Sequence, residues 1–241
     1  MLSVEPYLDS NNQELWQTMS QEFNIVIDYS PEGCYGNYHQ SNDCTIYVPI
    51  GKEPDPASFS HELLHLYLSH RKIYIGGAIE CLFRGRYPHN IIFDKGLYDH
   101  ITNCLEHIKM LPLYLKLGYP IEKFLLDYYE EKLTFEDLKR LRKGYKSGIF
   151  SHKFNRRAVN FYIGQFFAAK ADINPTNNYD KLLSDMNLLD TNLYSALDTF
   201  WNGWVNYDIE KKREVWEDDH HVLVDKLADD LSDWSNKKEF V

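Results

Sequence analysis

A run of apolar and small residues that carries two histidines, PDPASFSHELLHLYL, spans positions 54–68. If this run is helical, His61 and His65 are one turn apart and project from the same face. Two imidazoles at that spacing suit a zinc ion. Glu62 then points about 100° around the helix, close enough to reach a water molecule at the metal. The H-E-x-x-H pattern therefore predicts a helix that supplies two metal ligands and a carboxylate base.

The residues around this pattern predict that the helix is buried. The triplets on either side, 58–60 and 66–68, carry no charge, and leucines give the helix an apolar body. A zinc helix that passes through the middle of a domain has such a composition, whereas a solvated surface helix does not. Ser58 or Ser60 is expected to cap the start of the helix, just after two prolines. The alternative is a core helix whose two histidines are merely hydrogen-bonded.

The composition of the 241-residue chain limits the classes of protein to which it can belong. Hydrophobic residues make up 44% and aromatic residues 15%, which is enough for a sizeable core and argues against disorder. The length suits one large domain or two small ones. The formal net charge of −10 argues against a general nucleic-acid binder, whose surface would be basic.

Residues 1–16 do not have the form of a secretory signal, because they are polar and acidic and lack an apolar run. No apolar run elsewhere in the sequence reaches the length of a membrane span. A cytoplasmic location is therefore expected. The cysteines form no C-x-x-C pair and are expected to be free thiols rather than zinc ligands. They are Cys34, Cys44, Cys81 and Cys104.

Hydrophobic periodicity predicts an α+β fold, with strands before the metal helix and helices after it. The elements expected in the first half are a helix over 11–23, strands over 25–29 and 45–48, the metal helix over about 58–69, a loop with a weak helix over 74–96, and a helix over 98–117. Those expected in the second half are helices at about 121–131, 134–144, 153–171, 179–187, 190–205 and 209–234. Pro112 should end or bend the helix that contains it. The best candidate for a domain boundary is Gly118-Tyr119-Pro120.

A catalytic zinc ion usually takes three protein ligands, so a further ligand must come from outside the H-E-x-x-H helix. The segment YDHITNCLEH at positions 98–107 is densest in ligand types. Asp99 is the preferred third ligand, and Asn103, one turn later, is expected to hydrogen-bond a ligand histidine. The alternatives to Asp99 are first Glu106 and then His100 or His107.

Together, the two motifs resemble the short zincins of the gluzincin type, in which a helix with an acidic ligand follows the H-E-x-x-H helix. The ImmA/IrrE-like family has Glu, then Asn four positions on, then Pro nine positions after that Asn. Here Asp99, Asn103 and Pro112 occupy those positions. Metallopeptidases associated with von Willebrand-type domains are also similar, with Asp-x-x-x-Asn as the second motif. The resemblance covers about residues 42–112 and departs from the ImmA/IrrE-like pattern at Asp99, where that family has Glu.

This resemblance implies a zinc metallopeptidase that cleaves a specific protein or peptide. Glu62 would be the general base, and His61, His65 and Asp99 would hold the zinc ion. The alternative is a catalytically inactive, zincin-like protein-interaction module.

The domain organisation implied is a zincin-like zinc-binding domain at residues 1–118, with a small sheet, followed by a mainly α-helical domain at 119–241. The strand at 42–48, just before the metal helix, is expected to be a sheet edge that can pair with an extended peptide. Neither a membrane nor a nucleic acid is an expected partner.

Overall fold

The computed structural model describes residues 2–146, 153–211 and 219–241. The chain divides into two compact units, and both strands and helices are present, as expected for an α+β fold. The first unit consists of Met1–Ile73 and Lys109–Tyr128, and the second consists of Tyr74–Ile108 and Tyr129–Val241. Each unit thus contains two separate stretches of the chain.

The first unit contains a small sheet and the H-E-x-x-H helix. Its elements are α1 (Gln13–Glu22), β1 (Asn24–Tyr29), β2 (Gly36–Gln40), β3 (Asp43–Val48), α2 (Pro56–His70) and the C-terminal part of α5 (Lys95–Lys116). The predictions of α1, β1, β3 and α2 are confirmed to within about two residues at each end. Strand β2 was not predicted, because Gly36 and Asn37 favour turns in isolation; pairing with β3 outweighs that preference.

The sheet has the order β1-β3-β2. Strand β3 pairs in parallel with β1 and antiparallel with β2, so it is the central strand. The prediction that the strand at 42–48 is a sheet edge is therefore wrong, and β1 and β2 are the edges. The connection between β2 and β3 is short, and Ser41 in it adopts a φ of 57°.

An apolar core holds α2 in the first unit. Cys44, Ile46 and Val48 alternate along β3 and are all buried, as in a strand with one face against a core. The other buried members of the same cluster are Met19, Phe23, Ile27, Phe59, Leu63 and Leu66. Three of these belong to α2, so the prediction that this helix is buried is confirmed.

Helix α2 begins at Pro56, with Asp55 as its N-cap. The Asp55 carboxylate accepts hydrogen bonds from the Ala57 backbone N–H (3.3 Å) and the Ser58 hydroxyl (3.0 Å). Pro56 suits the first helical position because its missing N–H would have no partner there. The cap is therefore Asp55, and neither Ser58 nor Ser60 has this role.

Ser60 belongs instead to a buried polar network centred on Asn12. The Asn12 side chain is fully buried, and its amide donates to the Ser60 hydroxyl (3.0 Å), the Tyr7 carbonyl (3.0 Å) and the Pro56 carbonyl (3.3 Å). Its side-chain oxygen accepts from the Asp9 backbone N–H (3.0 Å). This one side chain therefore fixes the start of α2 against the N-terminal segment, directly before His61.

The second unit is mainly helical. Its elements are α3 (Ile75–Arg84), α4 (His89–Ile92), the N-terminal part of α5, α6 (Phe135–Gly144), β4 (Lys153–Phe154), α7 (Arg156–Ala171), α8 (Asp180–Leu189), α9 (Thr191–Asn206), α10 (His220–Ser235) and β5 (Glu239–Phe240). The predictions of α5 and of α6 to α9 are confirmed. No helix in the described part of the chain is both long and apolar enough to cross a membrane.

Two predictions after residue 73 need correction. The segment 74–96 forms two helices, α3 and α4, and the segment 121–131 contains only the 3₁₀ turn Ile121–Lys123 before it continues as turns and bends. Pro112 lies inside α5, so of the two effects expected of it, ending the helix is excluded. Of the helix expected at 209–234, the structure shows α10, while residues 212–218 lie outside the described residues.

Replacing Asn12 with alanine should destabilise the protein by about 1–3 kcal/mol, because the change removes the side-chain donor to the Tyr7 carbonyl and the side-chain acceptor of the Asp9 backbone N–H. The measurement is urea unfolding of wild type and variant, with the change taken from the midpoint at an unchanged slope. Asn11→Ala is the matched control, since Asn11 is exposed and its loss should cost less than about 0.5 kcal/mol. Equal stability of the two variants would contradict the role of Asn12.

Candidate metal centre

His61 and His65 project from α2 and bring their Nε2 atoms to 3.3 Å from one another. A tetrahedral zinc ion with Zn–N bonds of about 2.0–2.1 Å separates its ligand nitrogens by roughly 3.3–3.4 Å. The observed distance thus equals the edge of a zinc tetrahedron. It also permits a hydrogen bond between two neutral rings, which is the alternative recognised from the sequence. The helical spacing has nevertheless produced the separation that a shared metal ion requires.

The surroundings of His61 keep its ring neutral. Burial lowers the pKa of His61 to about 3, and the nearby His65 acts in the same direction. The Phe124 ring lies over His61 with its centroid 4.8 Å away, and a hydrogen bond with the Phe124 backbone partly opposes the fall in pKa. Neutral imidazole is the form that binds a metal, so no proton has to be removed from His61 at neutral pH.

Glu62 lies beside this pair and is only 7% exposed. Its Oε2 atom accepts a hydrogen bond of 2.7 Å from the Asn37 side-chain amide on β2. Burial raises the pKa of Glu62 above its ordinary value, while the charge of His65 and the bond from Asn37 lower it. A cation held by the two histidines would favour the ionised carboxylate further.

His107, one of the alternatives for the third ligand, belongs to α5, which is continuous from Lys95 to Lys116. Helix α5 is divided between the two units, and His107 lies in the part that belongs to the second unit, whereas His61 and His65 lie in the first. The third ligand expected from the segment 98–107 therefore stays a prediction.

Asp99, the preferred third ligand from the sequence, lies near the start of α5 in the second unit. Its side chain is 60% exposed and forms an ion pair of 2.6 Å with Lys95. Lys95 and Asp99 have the spacing of a helical ion pair. The role of Asp99 as a zinc ligand stays a prediction.

The structure describes the surroundings of other candidates in the segment 98–107. Asn103, expected to support a ligand, is exposed on α5. The His100 ring contacts the Gly164 carbonyl (3.1 Å) and the Cys104 thiol (3.8 Å) in the second unit. Glu106 lies further along the same helix.

A second group with metal-ligand chemistry, Asp219-His220-His221, lies at the start of α10. His220 is 1% exposed, and its Nδ1 atom pairs with the Asp219 carboxylate. Its Nε2 atom accepts a hydrogen bond from the Tyr74 backbone N–H (3.4 Å). Both ring nitrogens of His220 thus have protein partners, and the ring joins the start of α10 to the start of α3. This group is better described as a structural contact.

Comparison with known proteins does not assign a family or a function to the chain. A scan against protein-family models found no match, and searches of curated proteins and of solved structures found no significant match. The resemblance to zincins therefore rests on the two sequence motifs alone, and the chemistry has to be inferred from the site.

Alanine substitution should rank the candidate ligands. His61→Ala and His65→Ala are each expected to weaken zinc binding by more than about 100-fold, because loss of an outer partner alone costs about 10–100-fold. Among Asp99→Ala, Glu106→Ala and His107→Ala, the largest loss identifies the third ligand, and the sequence predicts Asp99. Competition titration with a chromogenic chelator measures the affinities. Wild-type affinity in His61→Ala or His65→Ala would contradict the placement of the site on α2.

Proposed function

We propose that the protein is a zinc-dependent metallopeptidase, with His61 and His65 as two of the zinc ligands and Glu62 as the general base. The observation that carries this proposal is the 3.3 Å separation of the His61 and His65 Nε2 atoms beside a buried glutamate. Structural zinc sites usually have four protein ligands, often including cysteines, whereas hydrolytic sites have three and leave a position open. Two histidines on one helix with an adjacent carboxylate suit a hydrolytic site.

The histidines fit zinc in chemistry as well as in distance. The imidazole nitrogen is one of the common ligands of zinc in proteins. The low pKa of His61 makes its ring available at neutral pH without loss of a proton.

The proposed reaction is hydrolysis of a peptide bond. Zinc, when bound, supplies Lewis acidity, which acidifies water and polarises a carbonyl group. Glu62 accepts the proton of the attacking water at a carboxylate oxygen and later delivers it to the leaving amine. The Asn37 amide donates a hydrogen bond to Glu62 Oε2. We therefore assign the acceptance of the proton to the other oxygen, Oε1. The buried position of Glu62 limits competition from bulk water.

The proposed substrate is an extended segment of a protein or peptide. Strand β2 is at the edge of the sheet and carries Asn37, whose side chain contacts Glu62. A chain that adds to an exposed sheet edge binds through its backbone. A chain paired with β2 would therefore pass beside the general base, and this supports β2, rather than β3, as the strand that receives the substrate.

Glu62→Gln should lower turnover by about 10²–10⁴-fold, because glutamine has nearly the same size but cannot accept the proton. Zinc content and thermal stability should remain at wild-type values, since Glu62 is not a ligand. The measurement is mass spectrometry of new N-termini in a cell lysate incubated with zinc-loaded wild type or variant. Cleavage products present with wild type and absent with Glu62→Gln would identify the substrate at the same time.

Glu53→Gln is the matched control for this experiment, because it is the same chemical change at an exposed glutamate just before α2. It should yield the same products as wild type. If Glu62→Gln also yields them at the wild-type rate, the assignment of the general base is refuted. If wild type yields none and both proteins capture the same partner intact, the interaction module replaces the peptidase.

A further inference from the structure

Two side-chain hydrogen bonds join the edge strand β2 to α2. The Asn37 amide donates to Glu62 Oε2 (2.7 Å), and the His39 Nε2 atom lies 3.0 Å from the Ser69 hydroxyl oxygen. Asn37 and His39 are two residues apart and therefore share a face of the strand. Glu62 and Ser69 are seven residues apart, about two helical turns, and therefore share a face of the helix. The contact between β2 and α2 thus includes a polar seam with two bonds.

The two bonds differ in their partners on α2, because Asn37 bonds to the Glu62 carboxylate and His39 to the Ser69 hydroxyl. A glutamate has three side-chain torsions, and a buried one needs a donor to offset its loss of hydration. Asn37 is attached to a strand whose backbone is fixed by pairing with β3. Its 2.7 Å distance is in the range of bonds to an ionised acceptor. Asn37 can therefore fix the direction of the Glu62 carboxylate, whereas the bond to Ser69 only fastens the helix.

The residue type supports the same distinction. Asparagine is disfavoured in strands because its side chain competes for backbone hydrogen bonds and packs poorly on a pleated surface. Residues that break a local preference are expected mainly where function requires them. The Asn37 side chain, of a type disfavoured in strands, is the one that donates to Glu62.

We infer that Asn37 is a positioning residue for Glu62, which holds the carboxylate so that Oε1 faces the metal-binding histidines. This inference rests on the proposed function, because it takes Glu62 to be the base. It goes further in assigning the orientation of the base to a residue on the edge strand. Loss of Asn37 should impair Glu62 while leaving the metal ligands and the fold intact.

The test uses the full-length protein loaded with Co²⁺, and acetohydroxamate as the probe. A hydroxamate chelates the metal and donates a hydrogen bond to an adjacent carboxylate, so its affinity reports the orientation of Glu62 without a known substrate. Visible absorption of the cobalt ion measures the dissociation constant. The dissociation constant of Glu62→Ala gives the affinity expected when the carboxylate is absent.

Asn37→Ala is expected to weaken acetohydroxamate binding by about tenfold or more, the worth of one hydrogen bond to a charged group. Asn37→Asp should weaken it at least as much, because aspartate has the same shape but replaces the donor with an acceptor. Ser69→Ala is the matched control for the seam and should change the affinity by less than about twofold. Cobalt content should be the same in all variants.

Several outcomes would overturn the inference. Wild-type affinity in Asn37→Ala, with a loss in Glu62→Ala, would refute the role of Asn37 while the proposed base stands. An equal loss in Ser69→Ala would mean that loosening of the seam, rather than the bond to Glu62, causes the effect. Failure of the wild-type chain to bind cobalt, or wild-type affinity in Glu62→Ala, would refute the proposed function and the inference together.

Discussion

The packing of α2 against β3 is the interaction on which the rest of the first unit depends. Phe59, Leu63 and Leu66 lie within about 60° of one another around the helix and form the stripe that meets the buried side of β3. His61 and His65 lie about 200–240° from Phe59 and are thus directed away from the sheet. Burial of the apolar stripe therefore determines where the two histidines point. A sequence with the leucines at other positions could contain the same H-E-x-x-H pattern, but its histidines would then point in another direction.

The same helical geometry explains the position of Glu62. It lies about 60° from Phe59, on the border between the face that meets the sheet and the face that carries the histidines. From that border it can reach both the edge strand β2 and the space beside the imidazoles. The bond from Asn37 and the exposed fraction of 7% are consequences of this placement. The candidate base is thus part of the packing between helix and sheet rather than of a surface loop.

Patterns with a strong local cause could be predicted from the sequence. The periodicity of α2, the alternation of β3 and the helices between residues 133 and 207 are local properties, and the structure has them at the expected positions. Strand β2 could not be predicted, because its pairing with β3 is a tertiary effect that overrides the turn preference of Gly36 and Asn37. The central position of β3 could not be predicted either, because alternation gives the faces of a strand but not its neighbours in the sheet.

The central claim is that His61 and His65 bind the same zinc ion. X-ray absorption at the zinc K-edge of the purified, zinc-loaded protein measures the number, type and distance of the ligand atoms. The account predicts about one zinc per chain in a shell of about four nitrogen or oxygen atoms at about 2.0–2.1 Å, with at least two imidazoles, and one imidazole fewer in His65→Ala. A shell of sulfur atoms near about 2.3 Å, or an unchanged imidazole count in His65→Ala, would contradict it.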